Sequence, residues 1–219
     1  MGALIRSLRC RAILFDLDGV LVDSRRCVEL VWHAWAAERG LDPAPFLKVA
    51  HGRRISETIR LVRPDLDAKA EAAVLDAMEE TETGGLAAFP GAAALLAALP
   101  DARRAIVTSG SRAVASLRLR TAGLRPPAVF VTSADVSRGK PEPEPYLLAA
   151  ERLGVPPAEC LVLEDSPPGV AAGKAAAMRV IALLTTHAAD QLAAADARVA
   201  ALAALRVDPA GAAGLTVSW

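Results

Sequence analysis

The chain has 219 residues, and its 25 basic side chains balance its 25 acidic ones. That length suits one main domain of roughly 100–200 residues with an insertion or small second domain. A formal charge of zero excludes a partner held by bulk electrostatics, so neither nucleic acid nor an anionic membrane is expected.

Although 53% of positions are apolar by type, 48 residues are alanine, a small helix former rather than a large core side chain. The longest apolar run, Ala92–Leu99, stops at Pro100, far short of the roughly 18–20 residues of a spanning helix. Cys10, Cys27 and Cys160 lie far apart in no metal-like spacing and read as reduced, buried thiols. Met1 to Arg11 has scattered arginines but no apolar stretch before a cleavage site. No secretion signal is read there, and a cytoplasmic location is expected.

In chain order, the first predicted strand is Ala12–Phe15, and the next follows only at Ala105–Val107. From Ser24 to about Phe89 nothing reads as a strand. The apolar spacing there is helical, through Val28, Val31, Trp32 and Trp35 and then Ile55, Ile59, Leu61 and Val62. Pro64 and Gly84–Gly85 punctuate this insertion, and Pro90–Gly91 marks its end. Beyond it come a helix over Arg112–Ala122, a strand at Val129–Val131 and a helix over Pro145–Leu153. A strand at Leu161–Leu163, a helix over Gly169–Ala177, a strand at Val180–Leu184 and an alanine-biased stretch to Ala204 complete the pattern. Short apolar strands alternating with helices predict an α/β, doubly wound parallel sheet. The expected division is a core of residues 1–23 and 90–219 with a helical domain of residues 24–89 inserted after the first strand.

The chemistry is written at the strand ends, where ligands of such sheets bind. Asp16 and Asp18 follow the first strand; alternate residues of extended chain face one way, so both carboxylates can lean toward one spot. After the second strand, Thr108-Ser109-Gly110-Ser111 offers hydroxyls and backbone N–H groups at a helix start, which suits a phosphate oxygen. After the third comes Gly139-Lys140-Pro141, and lysine is scarce here, four against 21 arginines. A lysine at this point serves as a fixed charge for an anion. After the fourth, Glu164-Asp165-Ser166 supplies a second acidic pair and a residue suited to cap a helix.

With these four motifs in hand, the chain resembles the haloacid dehalogenase superfamily of phosphotransferases. The resemblance runs from Cys10 to about Thr186. It rests on Phe15 through Ser24, Val107-Thr108-Ser109-Gly110, Gly139-Lys140-Pro141-Glu142-Pro143 and Leu163 through Gly169. It implies a Rossmann-like core, and the insertion is similar to that superfamily's small helical cap. Within the cap His51-Gly52-Arg53-Arg54 and the run Glu79–Thr83 look most like the sugar and hexitol phosphatases.

The resemblance implies a Mg²⁺-dependent phosphomonoester hydrolase acting on small sugar or polyol phosphates. Asp16 is then the nucleophile that becomes an aspartyl-phosphate, and Asp18 the general acid and base. Asp16, the carbonyl of Asp18 and Asp165 ligate the metal, with Glu164 as support or occasional ligand. Hard oxygens suit magnesium better than zinc. Thr108, Ser109, Gly110 and Lys140 bind phosphate, with Lys140 also holding Asp16 ionised. His51, Arg53 and Arg54 are the cap candidates for substrate contact, and a monomer is expected.

Dehalogenases and phosphonate-cleaving members lack the second aspartate, which this chain keeps. The β-phosphoglucomutase-like enzymes share the core motifs but carry a histidine that aligns near Val28, and valine relays no proton. A non-catalytic phosphate-ligand binding protein is the rival of another class, although none of the four anchors is missing. Glu79 and Glu82 could reach polyol hydroxyls but read as a solvated acidic face, and Trp32 and Trp35 read as cap core. His33 and His187 have no partner apparent in the sequence and read as core or surface residues.

Overall fold

The structure is a computed structural model that describes residues 6–209 and 214–219. Residues 1–5 and 210–213 of the expected core division, and the first part of the segment searched for a secretion signal, lie outside the described residues.

Eleven strands and eight α-helices follow one another among the described residues. The first are β1 (Ser7–Cys10), β2 (Ala12–Phe15) and β3 (Val22–Asp23). The inserted helices are α1 (Arg25–Glu38), α2 (Ala44–Ala50), α3 (Ile55–Val62) and α4 (Ala68–Glu79). The chain returns through β4 (Ala87–Ala88), α5 (Ala92–Ala98), β5 (Arg104–Val107), α6 (Arg112–Thr121), β6 (Val129–Val131) and α7 (Glu144–Leu153). It ends with β7 (Cys160–Glu164), α8 (Pro167–Ala175), β8 (Arg179–Leu183), β9 (Ala197–Val199), β10 (Arg206–Pro209) and β11 (Leu215–Ser218).

Six strands form one parallel sheet in the order β6-β5-β2-β7-β8-β9, the doubly wound α/β fold expected from the sequence. The chain winds outward from β2 through β5 to β6, then crosses back to β7 on the other side of β2. β2 is therefore the switch point, and the crevice opens at its carboxyl end. All four of its residues are buried, as a central parallel strand covered on both faces requires. Ile13 and Phe15 pack with Leu163, Ile106 and Leu96 on one face of the sheet. Ala12 and Leu14 pack with Val107, Val131, Val162 and Tyr146 on the other.

Helices α1 to α4 share a core of their own, built on Trp32, Trp35, Phe46, Ile59 and Leu75. Trp32 stacks on Phe46 with ring centroids 5.4 Å apart, and Trp35 meets Phe46 edge-on at 5.0 Å. The indole N–H of Trp35 donates to Glu71 at 2.8 Å, which satisfies the polar end of a buried ring. Both tryptophans belong to the core of the inserted helices.

Three elements depart from the sequence reading. Ala87–Ala88, inside the stretch that shows no strand pattern, pairs antiparallel with Val22–Asp23 at the joint between the insertion and the core. Two alanines carry no β signal; the pairing comes from the two chain crossings running side by side. Strand β9 sits within the alanine-biased stretch, and β1, β11 and β10 build a small antiparallel sheet. The three cysteines are free and buried, as expected, and among the described residues no helix is long and apolar enough to cross a membrane.

Replacing Trp35 with alanine removes the ring that both Trp32 and Phe46 touch. Urea unfolding is expected to show a loss of about 3–5 kcal/mol. A change below about 1 kcal/mol would mean that this aromatic cluster does not fix the helical insertion.

Candidate active site

The loop after β2 is shaped by backbone constraints. The N–H of Asp16 still donates to Leu163 O at 2.9 Å, so the residue remains tied to the sheet edge. Leu17 O accepts from both Leu21 and Val22, which folds the chain into a tight turn. Gly19, at φ +82°, occupies a region that side-chain-bearing residues avoid, and a Cβ there would sit 1.9 Å from Asp165 Oδ2. The first acidic motif and the fourth therefore press against each other.

At the centre lies Lys140, fully buried. Its ammonium group donates to Asp16 Oδ1 at 2.5 Å, Glu164 Oε1 at 2.7 Å and Val107 O at 3.1 Å. Glu164 has both oxygens committed. Oε1 also accepts from the Tyr146 hydroxyl at 2.8 Å. Oε2 accepts from the N–H groups of Asp165 and Ser166 at 2.9 and 3.1 Å and from the Ser166 hydroxyl at 2.9 Å. Space for this carboxylate exists only because residue 169 is glycine, whose Cβ would fall 1.7 Å from Glu164 Oε1.

Burial pushes the Glu164 carboxyl up, but Lys140 and the backbone donors outweigh it and hold it below the usual range. Asp16 goes the other way: burial, helped by repulsion from Glu164, Asp165 and Asp18, raises it well above that range although Lys140 pulls it down. Burial opposes the charge on Lys140, yet Asp16 and Glu164 prevail and raise its proton affinity.

Asp165 is fully buried and less well matched. Its Oδ2 meets Thr186 Oγ1 and lies 3.5 Å from His51 Nε2, while Oδ1 has no partner among the described residues. Burial raises this carboxyl as well. Asp16, Glu164 and Asp165 each offer an oxygen within 4.8 Å of the others, a cluster able to hold a metal ion. With Glu164 fully hydrogen-bonded, the oxygens left for a cation belong to Asp16 and Asp165. An orphaned carboxylate oxygen among hard donors is the environment a small divalent cation fits.

Asp18 is held from two sides. Its Oδ1 accepts from Ser24 Oγ at 2.7 Å and its Oδ2 from Arg118 at 2.9 Å. Arg118, only 4% exposed on α6, also donates to Glu79 Oε2 at 3.0 Å. Thr108 Oγ1 accepts from Gly110 N–H at 3.1 Å, and the Ser109 hydroxyl donates to Gly52 O of the insertion at 2.9 Å.

A small cavity lies between the strand ends and the helical insertion. Asp16, Asp18, Thr108, Ser109 and Gly110 line it from the core. His51, Gly52, Arg53, Val28, Trp32 and Glu79 line it from the insertion. The structure thus brings the four strand-end motifs to one crevice and faces them with His51 and Arg53. Arg54 goes elsewhere: its guanidinium donates to Val136 O at 2.7 Å and Ser137 O at 3.1 Å, tying the insertion to the loop before Lys140.

Two residues read as bland are not. Glu79 is 5% exposed on the cavity wall rather than on a solvated face. The signal lay in Leu75, fully buried four residues earlier on the same side of α4. His187, also without an apparent partner in the sequence, has its Nδ1 3.1 Å from Asp165 O. Arg118 and Tyr146 carried no signal; nothing in the spacing separates that arginine from the other 20.

The model of the haloacid dehalogenase-like hydrolases matches residues 10–177. The chain belongs to that family. Hexitol phosphatase A of Escherichia coli strain K12 is 49% identical over 181 residues, which covers 80% of this chain and 84% of that protein. Glycerol-1-phosphate phosphohydrolase 2 of Saccharomyces cerevisiae is 35% identical over 198 residues, covering 85% and 79% respectively. A hydrolase from Pseudomonas syringae has a similar structure, with a TM-score of 0.78 at 28% identity, over 86% of this chain and 92% of that one. The protein is an enzyme of this hydrolase family, of the phosphatase type.

Replacing Glu164 with glutamine keeps the shape but leaves Lys140 with one carboxylate and sets an amide against the donors of residues 165 and 166. A loss of about 3 kcal/mol or more is expected in urea unfolding, the cost of breaking a buried charge pair. Unchanged stability would mean that Glu164 is not what anchors Lys140.

Proposed function

We propose that the protein is a Mg²⁺-dependent phosphomonoester hydrolase acting on small sugar or polyol phosphates through an aspartyl-phosphate intermediate. The observation that carries this reading is a buried Asp16 on the cavity wall, bonded to Lys140, with Asp18 two residues on lining the same cavity. The named activities of Hexitol phosphatase A and Glycerol-1-phosphate phosphohydrolase 2 support the same substrate class.

A phosphomonoester resists attack mainly because anion repels anion, so the site must supply a nucleophile and neutralise oxygens. The Thr108 hydroxyl and the chain at Ser109 and Gly110 line the cavity where the phosphoryl oxygens would sit, and Lys140 draws Asp16 toward its ionised form against the burial that favours the neutral acid. A carboxylate oxygen of Asp16 attacks phosphorus as the bond to the alcohol oxygen breaks, and Asp18 gives that oxygen a proton. Water then attacks the acyl-phosphate, Asp18 takes its proton, and Asp16 is released with inorganic phosphate. Asp16, Asp165 and the carbonyl of Asp18 would hold Mg²⁺, which supplies charge neutralisation for the phosphoryl oxygens. Glu164 acts one layer further out, fixing Lys140.

Val28 on the cavity wall counts against a phosphomutase, since an apolar side chain relays no proton. The assembly of all four anchors around Asp16, on the wall of that cavity, counts against a binding protein without catalysis.

Phosphate release from hexitol and glycerol phosphates is expected with Mg²⁺ and is expected to stop on chelation. Asp16→Asn is expected to lower kcat by at least about a thousandfold with the fold intact by circular dichroism. Turnover within a few-fold of the parent would overturn the nucleophile assignment.

A further inference from the structure

Glu79 stands apart from the machinery just described. It ends α4, the helix of the insertion farthest along the chain, yet it is buried at the cavity wall and bound to Arg118 of the core. Arg118 divides its charge between Glu79 and Asp18, so this side of the cavity holds one cation for two carboxylates. Only Oε2 of Glu79 is engaged; Oε1 has no hydrogen bond among the described residues. Around it stand the apolar Val28, Trp32 and Ile55, surfaces suited to a carbon chain.

A carboxylate with a free oxygen on a buried wall accepts a hydrogen bond from a neutral hydroxyl well. It repels a second anion strongly, because the surroundings screen charge less than water does. The remaining cations of the wall are His51, turned toward Asp165, and Arg53.

We propose that Glu79, held by Arg118, is a specificity-determining residue for the leaving alcohol. Its free oxygen accepts from a hydroxyl of a neutral polyol or sugar chain, and its charge turns away esters that carry a second phosphate or a carboxylate. This rests on the phosphatase reading above. It adds that the enzyme distinguishes a hexitol 6-phosphate from 6-phosphogluconate, which has the same chain length but ends in a carboxylate.

The test compares kcat/KM for hexitol 6-phosphate, 6-phosphogluconate and a hexose 1,6-bisphosphate on the intact enzyme with Mg²⁺. The parent is expected to favour the hexitol phosphate at least tenfold over both others. Glu79→Gln is expected to narrow that preference at least tenfold, with the KM for 6-phosphogluconate falling and that for the hexitol ester rising. Glu79→Asp, which keeps the charge, is expected to keep the preference; its loss there would overturn the proposal. Equal use of the three esters by the parent would overturn it even if the glutamine variant did not fold. So would a preference for the doubly anionic esters that Arg53→Ala abolishes. An unchanged preference in an active Glu79→Gln enzyme would overturn it too, and in each of these cases the phosphatase reading stands. No phosphate from any ester, an aryl phosphate included, would sink both.

Discussion

One buried ammonium group holds this candidate active site together. Lys140 ties Asp16 at the end of β2 to Glu164 at the end of β7 and to the carbonyl of Val107 at the end of β5. Those three strands are neighbours in the sheet, but the residues come from distant parts of the chain. A lysine is costly to bury unless charge and hydrogen bonds are returned to it, and here all three come from groups that themselves need a donor. Tyr146, Ser166 and two backbone N–H groups then complete Glu164, so the anchor extends into α7 and the start of α8. With Lys140 fixed, Asp16 has one place to be.

The charge pattern around the cavity follows a common plan. Lys140 is shared by Asp16 and Glu164, and Arg118 by Asp18 and Glu79. Each cation serves two carboxylates, which leaves both pairs short of positive charge. Among the described residues, Asp165 has His51 as its one nearby cationic partner, at 3.5 Å, and one oxygen without a hydrogen bond. A chain of zero net charge thus gathers a local excess of negative charge where its strands end, and a divalent cation would meet that excess.

What could be read beforehand was set by local chemistry. The strands at Ala12–Phe15 and Val129–Val131 fall where the sequence puts them, because buried parallel strands write themselves as unbroken apolar runs. Asp16, Thr108, Lys140 and Asp165 were legible because each follows such a run. Contacts made across the domain joint were not. Arg54 belongs to a cap motif that suggests substrate contact, yet it spends its guanidinium on two core carbonyls. Glu79 and Arg118 find each other only once the inserted helices fold back over the sheet. The Val22–Asp23 and Ala87–Ala88 ribbon depends likewise on two segments meeting, and alanine announces no strand.

The two glycines that flank the acidic loops bear on how such a chain can change over evolutionary time. Gly19 lies where a single methyl group would collide with Asp165, and Gly169 where one would collide with Glu164. Neither residue does any chemistry, yet both carboxylates occupy volume that every other amino acid would fill. The cavity wall contributed by the helical insertion carries no such veto at Val28 or Arg53, which can be exchanged for side chains of other sizes. Substrate range is therefore free to drift on one side of the cavity, while on the other two absent methyl groups keep the reacting geometry fixed.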